Sequence, residues 1–156
     1  MKTKIVLAMI MLSMISLSVL AQNTTTLRKK QFNLENEIAI SGYDPVAYFK
    51  LNKAVKGKND FIINNDGVYY LFSSAENRDE FKKNASKYEP QYGGWCAYAM
   101  GAKGEKVSID PETFKIVDNK LYLFYNSFFN NTLKSWNKDE PNLKTKADAN
   151  WIRIFR

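Results

Sequence analysis

Two stretches of the chain show strand-like hydrophobic patterning on either side of a turn signal, and each runs directly into a helix-like stretch. In "FIINNDGVYYLFSS" (61–74), Asn-Asp-Gly separates two runs rich in Ile, Val, Tyr and Phe, which predicts a β-hairpin with a tight turn. Ser73 followed by Glu76 is a capping-box pattern, and Phe81 and Tyr88 give a sparse apolar face to a helix over 75–88. Upstream, "ISGYDPVAYF" (40–49) offers Asp44 as an N-cap and Pro45 as the first residue of a short helix carrying Val46, Ala47, Tyr48 and Phe49. The charged segment 50–60, with Gly57, reads as a loop. Pro90 and the pair Gly93-Gly94 break the chain, and a short helix over 95–100 is expected to end at Gly101.

The unit then repeats 52 positions on. In "FKIVDNKLYLFYNSFFNNTLKSW" (114–136), Asp118 matches Asp66, Tyr122 matches Tyr70, Leu123 matches Leu71, Phe124 matches Phe72, and Leu133 falls on Phe81. Two hairpin-helix units predict an α+β fold: one small domain with a mixed or antiparallel sheet and helices packed on it. The run "NSFFNN" (126–131) reads as a helix start. Trp151, Ile152, Ile154 and Phe155 should return the tail to the core or to a sheet edge.

The first residues place two lysines before an apolar run over 5–20. At about 16 residues the run is shorter than the roughly 20 of a membrane span, so it reads as a secretory signal (1–21) cleaved near Ala21. A retained anchor is the alternative. Residues 22–36 are polar and read as a flexible lead-in to a domain over 37–156. The expected mature protein is periplasmic or secreted and has no membrane span.

The chain of 156 residues has 23 basic and 16 acidic side chains, no histidine and one cysteine. A missing histidine excludes Ser-His-Asp and Cys-His catalysis, histidine-ligated zinc and the usual haem ligand. The lysines are spread along the chain, so the charge reads as a solvated surface and no nucleic-acid partner is expected. A protein partner remains open. A single cysteine allows no internal disulfide, so an unpaired thiol outside the cytosol must be either buried or used.

That thiol, Cys96, stands in "QYGGWCAYAMG" (91–101). Gly93 and Gly94 allow a sharp turn that would bring the first amides of the following helix toward the sulfur, favouring a thiolate. A thiolate at Cys96 and a thioether at Met100 would share one helix face and suit a soft ion such as Cu(I), with Tyr92, Tyr98 or a carbonyl completing the set. Any redox cycle would need an external thiol. The third reading is an inert cysteine buried among Trp95, Tyr98 and the sheet. Two further candidates are Asp44 and Asp110 as an acid-base pair, and the tyrosines at 69, 70, 88, 92, 98, 122 and 125 as a cleft for a carbohydrate or aromatic ligand.

Taken together, "GYDPVAYF", "YYLFSSAENRDEFKKNASKY", "QYGGWCAYAMG", "DPETFKIVDNKLYLFYN" and "ADANW" resemble the exported YHS-domain-like (seleno)proteins over residues 38–151. The resemblance implies an α+β domain related to metal-associated YHS modules. It also implies three thiol positions, which in this chain are Ala47, Ser73 and Asn77. In the exported branch a selenocysteine can stand where Cys96 stands, which implies a chemical use for that position. The expected function is an exported, non-enzymatic soft-metal module acting through Cys96 and Met100, with Gly93, Gly94, Trp95, Tyr92 and Tyr98 in support. The alternatives are a thiol redox protein or sensor using Cys96, and a non-catalytic interaction domain.

Overall fold

The computed structural model describes residues 24–156, so the expected signal and its cleavage site near Ala21 lie outside the described residues. Two hairpins dominate. β3 (Lys58–Asn65) and β4 (Val68–Phe72) turn through Asp66 and Gly67, and β5 (Asp110–Val117) and β6 (Lys120–Phe124) turn through Asp118 and Asn119; all four turn residues have positive φ. Asp, Asn and Gly occupy that region at low cost, so the turn chemistry fixes the register. Ile62 pairs with Leu71 and Phe114 with Leu123, and each first strand carries its irregularity at the matching place.

The repeat extends well beyond the hairpins. Helix α2 (Pro45–Leu51) precedes the first hairpin and α5 (Ala97–Lys103) the second. Each helix follows three successive residues in the left-handed region: Ile40, Ser41 and Gly42, then Tyr92, Gly93 and Gly94. Before each turn stands a parallel bridge, Ile38 to Tyr69 and Pro90 to Leu121. Asp44 N–H donates to the Val55 carbonyl and Cys96 N–H to the Val107 carbonyl, both at 2.9 Å. Every one of these pairs is 52 positions apart, so the structure carries the repeat from the bridge, through turn, helix and hairpin.

The α+β class expected from the sequence is what the chain adopts. β1 (Leu34–Glu35) and β2 (Ile38–Ala39) join the first hairpin in a mixed four-stranded sheet of order β1-β2-β4-β3. The expectation that both hairpins share one sheet needs correction: β5-β6 is a separate two-stranded sheet, as is β7 (Asn126–Ser127) with β8 (Asn130–Asn131). The reason lies in β6, which is buried on both faces. Its Leu121 and Leu123 enter one core with Val68, Tyr70, Phe72, Phe81 and Tyr88, while Tyr122 and Phe124 enter a second with Met100, Trp136, Leu143 and Ala147. The hairpins meet through side chains and not edge to edge.

The remaining helices are α3 (Ala75–Lys83), α4 (Ala85–Tyr88), α6 (Thr132–Trp136) and α7 (Glu140–Ile154). The single helix expected over 75–88 is broken at Asn84, and its cap is Ser74, which accepts from Asn77 N–H, in place of Ser73. Helix α5 does not stop at Gly101. It runs on to Lys103 and closes at Gly104, while Gly101 lets α7 cross: a Cβ there would lie 2.4 Å from the Leu143 carbonyl oxygen.

Residues 22–36 are not a loose lead-in where described. Residues 24–31 form helix α1, followed by β1. Arg28 pairs with Glu89, whose Oε1 also accepts from Asn65 Nδ2 and Tyr70 OH at 2.9 Å, and Phe32 lies beside Trp151 and Phe155. A polar composition hid these anchors because the partners, such as Glu89 for Arg28 and Trp151 for Phe32, lie far away in sequence. Among the described residues no helix is long and apolar enough to cross a membrane.

Burial raises the phenols of Tyr48, Tyr70 and Tyr92 above the ordinary tyrosine range, with Glu89 adding to the effect at Tyr70 and Asp148 at Tyr92. Because the folded values are raised, this stabilisation is complete below the unfolded value of about 10 and is lost as pH rises beyond it. An alkaline titration followed by tyrosinate absorbance should therefore show a late group of phenols that ionise together with loss of the far-ultraviolet circular dichroism signal. Smooth ionisation of all nine tyrosines with the fold intact would contradict the burial.

Candidate functional site

The site begins at the second left-handed turn. Gly93 takes φ 59°, and a Cβ there would meet both the Phe32 and the Trp151 rings at 2.8 Å, so α1 and α7 close over this residue because it is glycine. Tyr92 is buried and donates to Asp148 Oδ1 at 2.9 Å. Trp95 donates Nε1–H to the Gln31 carbonyl at 2.6 Å and carries the Lys106 ammonium 5.7 Å from its ring. Tyr92, Gly93, Gly94 and Trp95 are therefore architectural: they fix the direction in which the chain enters α5.

Cys96 follows as the N-cap residue of α5, and its side chain makes no hydrogen bond to the helix amides. Its Sγ lies 3.4 Å from Thr132 Oγ1. The Thr132 hydroxyl donates to the Tyr125 carbonyl at 2.7 Å, and a hydroxyl has one proton, so the S–H donates to Thr132. Cys96 presents no surface to solvent. It nevertheless bounds a pocket of about 250 Å³, whose walls include Tyr98, Val107, Tyr125, Asn130 and Thr132. The two observations agree if the sulfur lies just behind the pocket wall.

Met100 is fully buried in the second core with Tyr122, Phe124 and Trp136, and it does not line this pocket. The structure thus brings Cys96 and Tyr98 to one pocket and leaves Met100 outside it. No group of three or more His, Cys, Asp or Glu side chains gathers among the described residues.

The equivalent of Cys96 in the first unit is Asp44, and the contrast locates the site. Asp44 is fully buried; Oδ1 accepts from Val46 N–H at 2.8 Å and Ala47 N–H at 3.2 Å. Oδ2 accepts from Ser73 N–H at 2.8 Å, Ser73 Oγ–H at 2.6 Å and Asn77 Nδ2–H at 2.7 Å. Ala47, Ser73 and Asn77, the three positions singled out by the family resemblance, therefore converge on this carboxylate. They form a structural knot joining α2, the end of β4 and α3, with no lone pair to spare. Asp110 likewise spends its oxygens locally, on Glu112 N–H and the hydroxyl of Thr113. An acid-base pair finds no free carboxylate in these two residues.

In the second unit the place of the first five residues of α3 is taken by β7-β8, and α6 begins only at Thr132. The knot is replaced by a thiol with one partner, and the pocket opens beside it. Sequence reasoning missed Asn130 and Thr132; it named Tyr125 only among seven tyrosines of a ligand cleft, of which the pocket gathers Tyr98 and Tyr125. The 52-residue offset, carried one step past Phe124, places Tyr125 opposite Ser73.

Asp44→Ala should cost about 3 kcal/mol or more, because it removes a cap and strands several buried donors. Cys96→Ala should cost only about 1 kcal/mol, for lost packing. Urea unfolding midpoints at constant m value compare the two directly; equal losses would show that position 96 is as structural as position 44. Comparison of the chain with protein-family models, with curated proteins and with solved structures returned no match.

Proposed function

We propose that the protein is a thiol-based redox protein in which Cys96 is the reacting group and the adjoining pocket admits a small two-electron oxidant such as a hydroperoxide. One observation carries this reading. In a repeated fold, the position that holds a fully satisfied carboxylate in one unit holds the chain's only thiol in the other, and a pocket adjoins that thiol. The resemblance to exported YHS-like proteins, in which this position can carry selenium, supports the same assignment.

The chemistry balances with residues at hand. The sulfur attacks one peroxide oxygen and the O–O bond breaks; the thiol proton goes to the departing alkoxide, leaving a sulfenic acid and an alcohol. With one cysteine in the chain, an external thiol condenses with the sulfenic acid to a mixed disulfide and releases water. A second external thiol then restores Cys96. Thr132 holds the S–H beforehand, and its hydroxyl can turn from the Tyr125 carbonyl to donate to the sulfur once the proton has gone.

The soft-metal reading keeps Cys96 but finds no second soft donor on the pocket wall, since Met100 is turned into the core. A thiolate alone is a weak copper site. The proposal therefore gives the thiol chemistry precedence over the soft-ion expectation.

Treatment of the native protein with an equivalent of hydrogen peroxide in the presence of dimedone should yield one adduct, mapped by mass spectrometry to Cys96 and missing in Cys96→Ser. A bulky maleimide should label the same thiol far more slowly than peroxide oxidises it, because the sulfur sits behind the wall. A dimedone adduct that forms only in denaturant would make Cys96 an inert core residue.

A further inference from the structure

The β7-β8 hairpin carries a feature that the thiol reading does not use. The pairs Asn126 to Asn131 and Ser127 to Asn130 leave Phe128 and Phe129 as the two turn residues, 99% and 106% exposed. Phe128 sits at φ 48°, a conformation that favours Gly or Asn and is poorly suited to a large side chain. The other three hairpins fill their turns with the polar pairs Asn36-Glu37, Asp66-Gly67 and Asp118-Asn119. Here the fold accepts the cost of an aromatic residue in a left-handed turn and gains no core contact from either ring. Among the described residues the other exposed large apolar side chains, Leu51, Ile62 and Ile152, are single and only about half exposed.

From this we infer that the Phe128-Phe129 tip is a membrane-docking finger that inserts its rings into the interface of an anionic lipid surface. Three observations favour lipid over a protein partner. The rings project at full exposure on a stem of Asn126, Ser127, Asn130 and Asn131, so an apolar point is followed at once by uncharged hydrogen-bonding groups, in the order that acyl chains and headgroups present. Among the described residues, none of the other exposed large apolar side chains falls within residues 119–138, so the two rings stand as an isolated pair on this stretch, whereas the core of a protein interface gathers several. The stretch from Asn119 to Lys138 that bears the finger holds no acidic residue, and Lys134 and Lys138 follow the hairpin directly; of the acidic groups nearest the stem, Asp110 is engaged with Thr113 and Asn126, and Glu105 shares its pocket with Lys103, within a chain of net charge +7. Two rings with a few basic side chains give reversible binding, not permanent anchoring.

The test reads the finger itself, so that it is insensitive to any lipid affinity of the N-terminal apolar run. In the full chain, Phe129→Trp places a reporter at the tip, with the wild-type tryptophan signal subtracted. Adding vesicles of mixed phosphatidylcholine and phosphatidylglycerol should shift its emission to the blue and allow quenching by acyl-brominated lipid. Pure phosphatidylcholine or high salt should weaken both effects. Lys134→Glu/Lys138→Glu, which leaves the turn intact, should lower the vesicle affinity read at position 129 by at least about tenfold. Cys96→Ser should leave it unchanged, which separates this inference from the thiol chemistry. A reporter whose emission stays solvent-like while the chain is vesicle-bound would overturn the proposal. So would a blue shift that grows with protein concentration without lipid, since that would assign the finger to a contact between copies of the chain.

Discussion

The structure depends on a short left-handed turn made twice. Three consecutive residues at positive φ reverse the chain after each parallel bridge and deliver the next residues into a helix that faces the end of a neighbouring strand. Such a run is unfavourable for L-residues, and in the first unit it includes Ile40, whose branched side chain makes it costlier still. It persists because Ile40 is buried in the core and because the donors that follow the turn are satisfied, Tyr43 N–H by the Ile40 carbonyl and Asp44 N–H by Val55. The second unit eases the same constraint with two glycines and then uses the missing side chain of Gly93 to seat Phe32 and Trp151. From either turn the geometry ahead is the same, and residue 44 or 96 falls at a buried helix start.

What occupies that position decides what each unit becomes. A carboxylate needs several donors once it is buried, and Asp44 collects them from α2, the end of β4 and α3. This requirement holds α3 against α2 and closes the first unit. A thiol makes no such demand. With Cys96 in that place nothing compels the segment 127–131 to continue as helix, and it forms a hairpin instead. The pocket is thus the local consequence of exchanging a group that must be satisfied for one that need not be.

How much of this was legible in the sequence follows from the range of each interaction. The two hairpins, the Asp44-Pro45 helix start and the 52-residue repeat rest on neighbours within a few positions, and the residue types state them openly. The separation of the hairpins into different sheets was hidden, because a continuous apolar strand such as β6 does not say which element covers each face. The anchoring of α1 was hidden for the same reason: Arg28 meets Glu89 across 61 positions. The stop at Gly101 failed because a helical glycine that admits a crossing helix looks the same, locally, as one that ends a helix. Cys96 was found because it is unique, whereas Thr132, its partner, is an unremarked threonine until the chain has folded.

The hairpin that opens the pocket also carries the exposed rings, and the two features are mechanically one. Asn130 pairs with Ser127 across the hairpin, next to the tip, and also forms part of the pocket wall; Thr132, just beyond, is the residue that touches the sulfur. A force on the tip therefore acts on the wall and on the only partner of the thiol through a stem just two residues long on each side. The thiol itself sits on the opposite, rigid side, where its backbone is fixed by Val107 and α5 is braced by α7 at Gly101. Any displacement of the finger would therefore be felt at Cys96 through Thr132 and Asn130, on the side of the pocket opposite this brace. In the first unit the same displacement would have to break the Asp44 knot, which is why the two units, alike in backbone, differ in what they can do.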